Sequence, residues 1–161
     1  MGIRLEVEYL KYVVKHKYYV FIECCKLGIP VLGALHDLHK FTYSEIKGFE
    51  NYDEDLFILD AAGIFHLAKF ATKRADRAWA IHKRVSKHHW QYWVMPDEDI
   101  PGRILVSEMP MKYRKEMLAD WRGAAKASGN EVGKWYEKFR DRIILGPKTR
   151  DWIDERMNYY G

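Results

Sequence analysis

Residues 35–41 read Leu-His-Asp-Leu-His-Lys-Phe, a carboxylate and two imidazoles set among apolar side chains. Helical spacing places the stretch on a helix from about Val31 to Phe41. An imidazole next to a carboxylate in such a helix has two ordinary uses. His36 can be a core histidine with Asp37 as its hydrogen-bond partner, or the pair can belong to a ligand set for Zn, Mn, Fe or Co. For an isolated dipeptide the first use is the commoner, so the rest of the chain has to decide.

On both sides of this stretch the pattern stays helical. Leu5, Tyr9, Val13, Val20 and Cys24 recur at helical spacing over residues 5–26, and Gly28 and Pro30 end that helix. Thr42 or Ser44 can cap a short helix, residues 51–53 read as a loop, and 54–88 is helical with weak points at Gly63 and Thr72. Residues 95–110 hold Gly/Pro breaks, of which Pro101-Gly102 is the clearest turn. Met111 to Ala127 is strongly helical, with Pro110 at its first turn and Ser128-Gly129-Asn130 as its stop. Helices over about 131–144 and 147–159 follow, split by Gly146-Pro147. No strand pattern, repeat or low-complexity tract stands out. The expected fold is all-α, a compact helical bundle forming a single domain over residues 1–161.

Composition narrows the function classes. A chain of 161 residues with 48% hydrophobic and 31% charged residues can bury a real core and is not disordered in character. Aromatic residues reach 15%, which suits either an aromatic-packed core or a cleft that stacks a base. A net charge of +4 suits a small anionic substrate; nucleic acid is compatible with it but not favoured, since its binders carry a stronger basic stripe. No apolar run is long enough for a membrane span, and the N-terminus lacks a signal-peptide core. The adjacent cysteines, Cys24 and Cys25, read as free thiols, so the expected location is the cytoplasm. A Gly-rich phosphate loop, a His-Glu-x-x-His motif and a serine-nucleophile motif are all missing.

The remaining polar residues in apolar surroundings are few. His82 and His89 are two turns apart, so a continuous helix puts both on one face; His88 joins them only if the helix ends near Trp90-Gln91-Tyr92-Trp93. Asp120 sits within Met117-Leu118-Ala119-Asp120-Trp121, where an unpartnered carboxylate would be costly to bury. His16 lies on the apolar side of the first helix, between Val13 and Val20. His66 is the alternative to His82. The basic run through Lys69, Lys73, Arg74, Arg77, Lys83 and Arg84 is most simply a solvated face, with Arg77 and Arg84 as candidate phosphate contacts.

Taken in order, His16, His36-Asp37, His82, His88-His89 and Asp120 resemble the HD superfamily of metal-dependent phosphohydrolases. The His-Asp-x-x-Lys segment and the His88-His89 doublet are similar to its HD-GYP version, although the Gly-Tyr-Pro motif is replaced here by Trp-Gln-Tyr-Trp, which argues against a cyclic di-GMP substrate. The chain also resembles an uncharacterised bacterial and phage family in "HDL-K", "HHWQYW" and "MP-KYR-EML-DW"; for a phage protein the location would be the host cytoplasm. The HD resemblance implies an HD-like helical domain with two or more divalent ions (Mn, Fe, Co, Ni or Zn). In that scheme Asp37 bridges the ions, His16, His36 and Asp120 hold one, and His82 with His88 or His89 holds the other. It further implies hydrolysis of a nucleotide, a cyclic (di)nucleotide or another small phosphoester, with Asp37 and Lys40 as catalytic residues and Lys40 on the substrate; the basic run adds Arg77 or Arg84 as a substrate contact by its position just before the histidines. The alternative is a non-enzymatic module with a degenerate metal site that binds a nucleotide, nucleic acid or a protein.

Overall fold

The computed structural model describes residues 2–41 and 80–158. Among them the chain is helical apart from one small β-ribbon, as an all-α fold requires. Helix α1 spans Gly2–Lys26 and α2 spans Pro30–Leu35, followed by a 3₁₀ turn at Leu38–Phe41. A helical segment at 80–85, here α3, leads through a 3₁₀ turn at Trp90–Trp93 into strands β1 (Val94–Pro96) and β2 (Ile104–Val106). Helices α4 (Met111–Ser128), α5 (Val132–Phe139) and α6 (Pro147–Asn158) complete the described chain. The short helix and loop expected after residue 41, most of the 54–88 helix, His66 and Arg77 lie outside the described residues.

Among the described residues, helix α4 is central. Residues 116–125 are buried without interruption, which is possible only for a helix covered on several sides. On one side Val20 and Cys24 of α1 pack on Ala119. On another, Met117, Leu118 and Trp121 meet Tyr136 of α5 and Ile153 and Met157 of α6. Gly123 is what lets α1 come so close: a Cβ there would stand 2.4 Å from Val20 Cγ2 and 2.8 Å from the Val20 backbone nitrogen. Gly129 ends α4 in the left-handed conformation, at φ +73°, a geometry that costs glycine little. No helix among the described residues is long and apolar enough to cross a membrane.

The ribbon departs from the sequence reading. Val94, Met95 and Pro96 pair antiparallel with Val106, Leu105 and Ile104. Each strand is only three residues long, and β2 is exposed throughout, so neither carries the apolar–polar alternation by which strands are recognised.

Candidate metal centre

The His-Asp pair stands where α2 breaks, and the continuous helix expected over 31–41 is not formed. His36 has ψ 124° and Asp37 has φ +50°, the one positive φ at a non-glycine among the described residues. Aspartate tolerates this region better than most side chains. The break is held from α1, where Lys17 Nζ donates to the carbonyls of Ala34 at 2.9 Å and His36 at 2.8 Å. Beyond it, the Lys40 N–H donates to the Asp37 carbonyl at 2.9 Å and starts the 3₁₀ turn. On a regular helix two consecutive side chains would diverge by about 100°. The break lets His36 and Asp37 face one point.

A second break completes the site. Helix α3 ends at residue 85, and the chain turns through hydrogen bonds from Ser86 N–H to the His82 carbonyl and from His89 N–H to the Ser86 carbonyl, each 3.0 Å. The turn carries both His88 and His89 inward. Asp120 arrives on α4 and His16 on α1.

All seven expected ligand residues are therefore brought together, and all are buried. His16 Nε2 lies 3.1 Å and His36 Nε2 3.3 Å from Asp120 Oδ1. Asp37 stands between the histidine groups: Oδ2 is 3.4 Å from His36 Nε2 and 3.8 Å from His82 Nε2, and Oδ1 is 3.4 Å from His88 Nε2. His82 and His89 approach each other at 2.6 Å between their Nε2 atoms. Lys40 Nζ is 2.7 Å from Asp37 Oδ2. Its side chain is 18% exposed, against 10% for Asp120, 8% for Glu116 and 0% for His36, so Lys40 marks the accessible edge of the cluster. Arg84 is exposed on α3.

Glu116 is the member that the sequence reading missed. It precedes Asp120 by one turn of α4 and is buried. Its Oε1 lies 3.2 Å from His36 Nδ1 and 3.4 Å from His88 Nδ1, on the far side of both rings from Asp37. An acid at i−4 from a buried acid was the available signal.

Burial disfavours every charge here, yet the carboxylates prevail. Desolvation alone would keep His36 neutral, but Asp37, Asp120 and Glu116 push it up to about 10. Burial works against the Asp37 and Asp120 anions too. His36 and Lys40 nonetheless hold Asp37, and His16 and His36 hold Asp120, well below the usual carboxylate range. Burial likewise opposes the Glu116 anion, and His36 and His88 overcome it. The Lys40 ammonium, opposed by burial, is held by Asp37 and Asp120. His16 and His89 go the other way: burial lowers both, helped at His89 by His88 and His82. A cluster that draws a proton onto a fully buried histidine is short of positive charge.

Divalent ions fit that shortage. The ligand atoms of His16, His36, Asp37 and Asp120 lie within 4.8 Å of one another, as do those of His82, His88 and His89. His16 Nε2, His36 Nε2, His88 Nε2 and both Asp37 oxygens are buried with no aligned hydrogen bond, although ion-pair partners stand close. Metal–ligand bonds of about 2.0–2.2 Å put neighbouring ligands roughly 3.0–3.5 Å apart. The 3.1–3.4 Å separations match that spacing. Buried His and Asp groups that could hold metal ions are thus present, in an N/O set suited to Mn, Fe, Co, Ni or Zn.

The chain belongs to a family of unknown function, DUF5662, whose model matches residues 5–158. No curated protein and no solved structure matches it.

Proposed function

We propose that the chain is a metal-dependent phosphohydrolase of the HD type, acting on a nucleotide, a cyclic (di)nucleotide or another small phosphoester in the cytoplasm. The observation that carries the reading is the placement of Asp37, with one oxygen toward His36 and Lys40 and the other toward His88, in the middle of two histidine groups. His16, His36, Asp37 and Asp120 would hold one ion and His82, His88 and His89 another. When bound, such ions supply an activated water and neutralise charge on a phosphoryl group. The chain supplies the rest. Burial of the imidazoles keeps bulk water away, which strengthens each charge interaction. Lys40 presents a compact cation at the accessible edge, suited to a phosphate oxygen.

The experiment is elemental analysis of purified protein together with a turnover panel of nucleoside monophosphates, cyclic mononucleotides, cyclic dinucleotides and a generic phosphodiester with added Mn. Bound metal with turnover of at least one ester is expected. A filled site that turns over no member of the panel would replace the enzyme with the binding module.

A further inference from the structure

We infer that Glu116 is a positioning residue that aims both histidine groups at once, so that the two halves of the metal centre depend on a single carboxylate oxygen. The inference rests on the metal-dependent reading above. His36 belongs to the group around Asp120 and His88 to the group with His82 and His89, and the two also form a third group with Glu116, whose carboxylate faces their Nδ1 atoms and not the Nε2 atoms that face Asp37. They come from separate turns of the chain, one after α2 and one after α3. Their rings nevertheless lie 4.4 Å apart between centroids, and both Nδ1 atoms face Glu116 Oε1, at 3.2 and 3.4 Å.

One oxygen with two lone pairs can accept an N–H from each ring. Accepting them keeps on Nδ1 the one proton that each imidazole retains when an ion takes the place of any proton on Nε2. That leaves both Nε2 atoms as lone-pair donors pointing at Asp37, 3.4 Å away in each case. Without the acceptor, each ring is free to rotate or to carry its proton on Nε2, where it cannot bind a cation. Glu116 is well placed for this work because it lies in the stretch of α4 that is buried without interruption, and the same helix carries Asp120 one turn later. Glu116 Oε1 faces the two rings, whereas both Asp37 oxygens are buried with no aligned hydrogen bond. The Glu116 oxygen is engaged by the rings, and Asp37 is left for the ions.

The test is Co(II) titration of chelator-stripped protein, followed by calorimetry and by the visible ligand-field spectrum. Wild type, Glu116→Ala and Glu116→Gln are compared, with circular dichroism of each stripped protein to establish equal folding. Glu116→Ala should weaken every Co(II) equivalent that wild type binds by roughly ten- to hundredfold and alter the spectrum. Glu116→Gln keeps an acceptor oxygen in the same place and should recover a large part of the affinity. Weakening of one equivalent alone, unchanged binding in Glu116→Ala, or a glutamine variant no better than alanine would overturn the inference. Wild type that takes up no Co(II) would instead overturn the metal reading beneath it.

Discussion

His82 Nε2 stands 2.6 Å from His89 Nε2, although the helix that carries His82 ends at residue 85. Two ring nitrogens this close cannot both carry protons, and both belong to the group with His88. His82→Ala and His89→Ala should each lower the metal content of purified protein, whereas His66→Ala should leave it unchanged. Elemental analysis of the three variants checks this, and equal loss in all three would deny His82 its place.

That pair also shows how the site was legible for partly wrong reasons. Helical spacing placed His82 and His89 on one face; the chain in fact turns at Ser86 and brings them together from two directions. The same turn admits His88, which a continuous helix would have pointed away. The His-Asp pair was visible as polar residues in apolar company, but the break at Asp37 was not, because what holds it is Lys17 on another helix. Local pattern reveals which side chains are misplaced in a core. It does not reveal the long-range hydrogen bonds that stop a helix. Glu116 escaped notice because a glutamate early in a helix with exposed residues in its first turn looks solvated. The C-terminal end of α1 and both ends of α4 and α6 were found to within about a residue, since Gly28, Gly129 and Pro147 mark them, whereas α1 begins at Gly2 and not at Leu5.

Removing bound metal should destabilise the folded chain. A ligand at a hundredfold over its dissociation constant stabilises by about 2.7 kcal/mol. For a domain of this size each kcal/mol shifts Tm by roughly 2–4 °C. Chelation should therefore lower Tm by roughly 5–11 °C. Asp37→Ala should lose most of its metal and show little further response to chelator. A wild-type Tm that chelator does not move would count against resident metal.

The close approach of α1 to α4 should be as important as the ligands. Gly123 lies three residues after Asp120, and its contact Val20 lies four after His16, so the same faces carry packing and ligands. In Gly123→Ala the new methyl meets the Val20 backbone, which cannot rotate away. Overpacking of this kind costs about 1–3 kcal/mol. Thermal melting should show the loss, and metal content should fall with it as His16 is pushed from Asp120. Full stability and full metal in this variant would show that the helices can part without harm.

The adjacent cysteines should behave as opposites. Cys24 is fully buried against Ala119 and Val20, and burial pushes its thiol up to about 12, whereas Cys25 is exposed. Only the thiolate reacts quickly. A thiol reagent at pH 8 should modify one cysteine promptly in the native protein and both in denaturant. Prompt modification of both in native protein would contradict the packing of α1 on α4.

Lys40 separates an electrostatic catalyst from a structural counter-ion. Its Nζ is 2.7 Å from Asp37 Oδ2, and with its side chain 18% exposed it forms the accessible edge of the cluster. The sequence reading put Lys40 beside Asp37 on a continuous helix; the contact is made instead across the 3₁₀ turn that follows the break. In stripped protein Lys40 is one of the cations that hold the Asp37 anion, so Lys40→Ala should melt below wild type when both lack metal. Bound ions replace that charge, so the metal-loaded proteins should melt together and carry equal metal. Turnover of a phosphoester should then fall by on the order of a hundredfold, the usual cost of losing one charge stabiliser. Lys40→Arg should recover part of it, since a guanidinium also pairs with a phosphate oxygen from that edge. If Lys40→Ala turns over substrate at the wild-type rate with its metal filled, Lys40 serves only to hold Asp37, and the phosphate must be met by other groups.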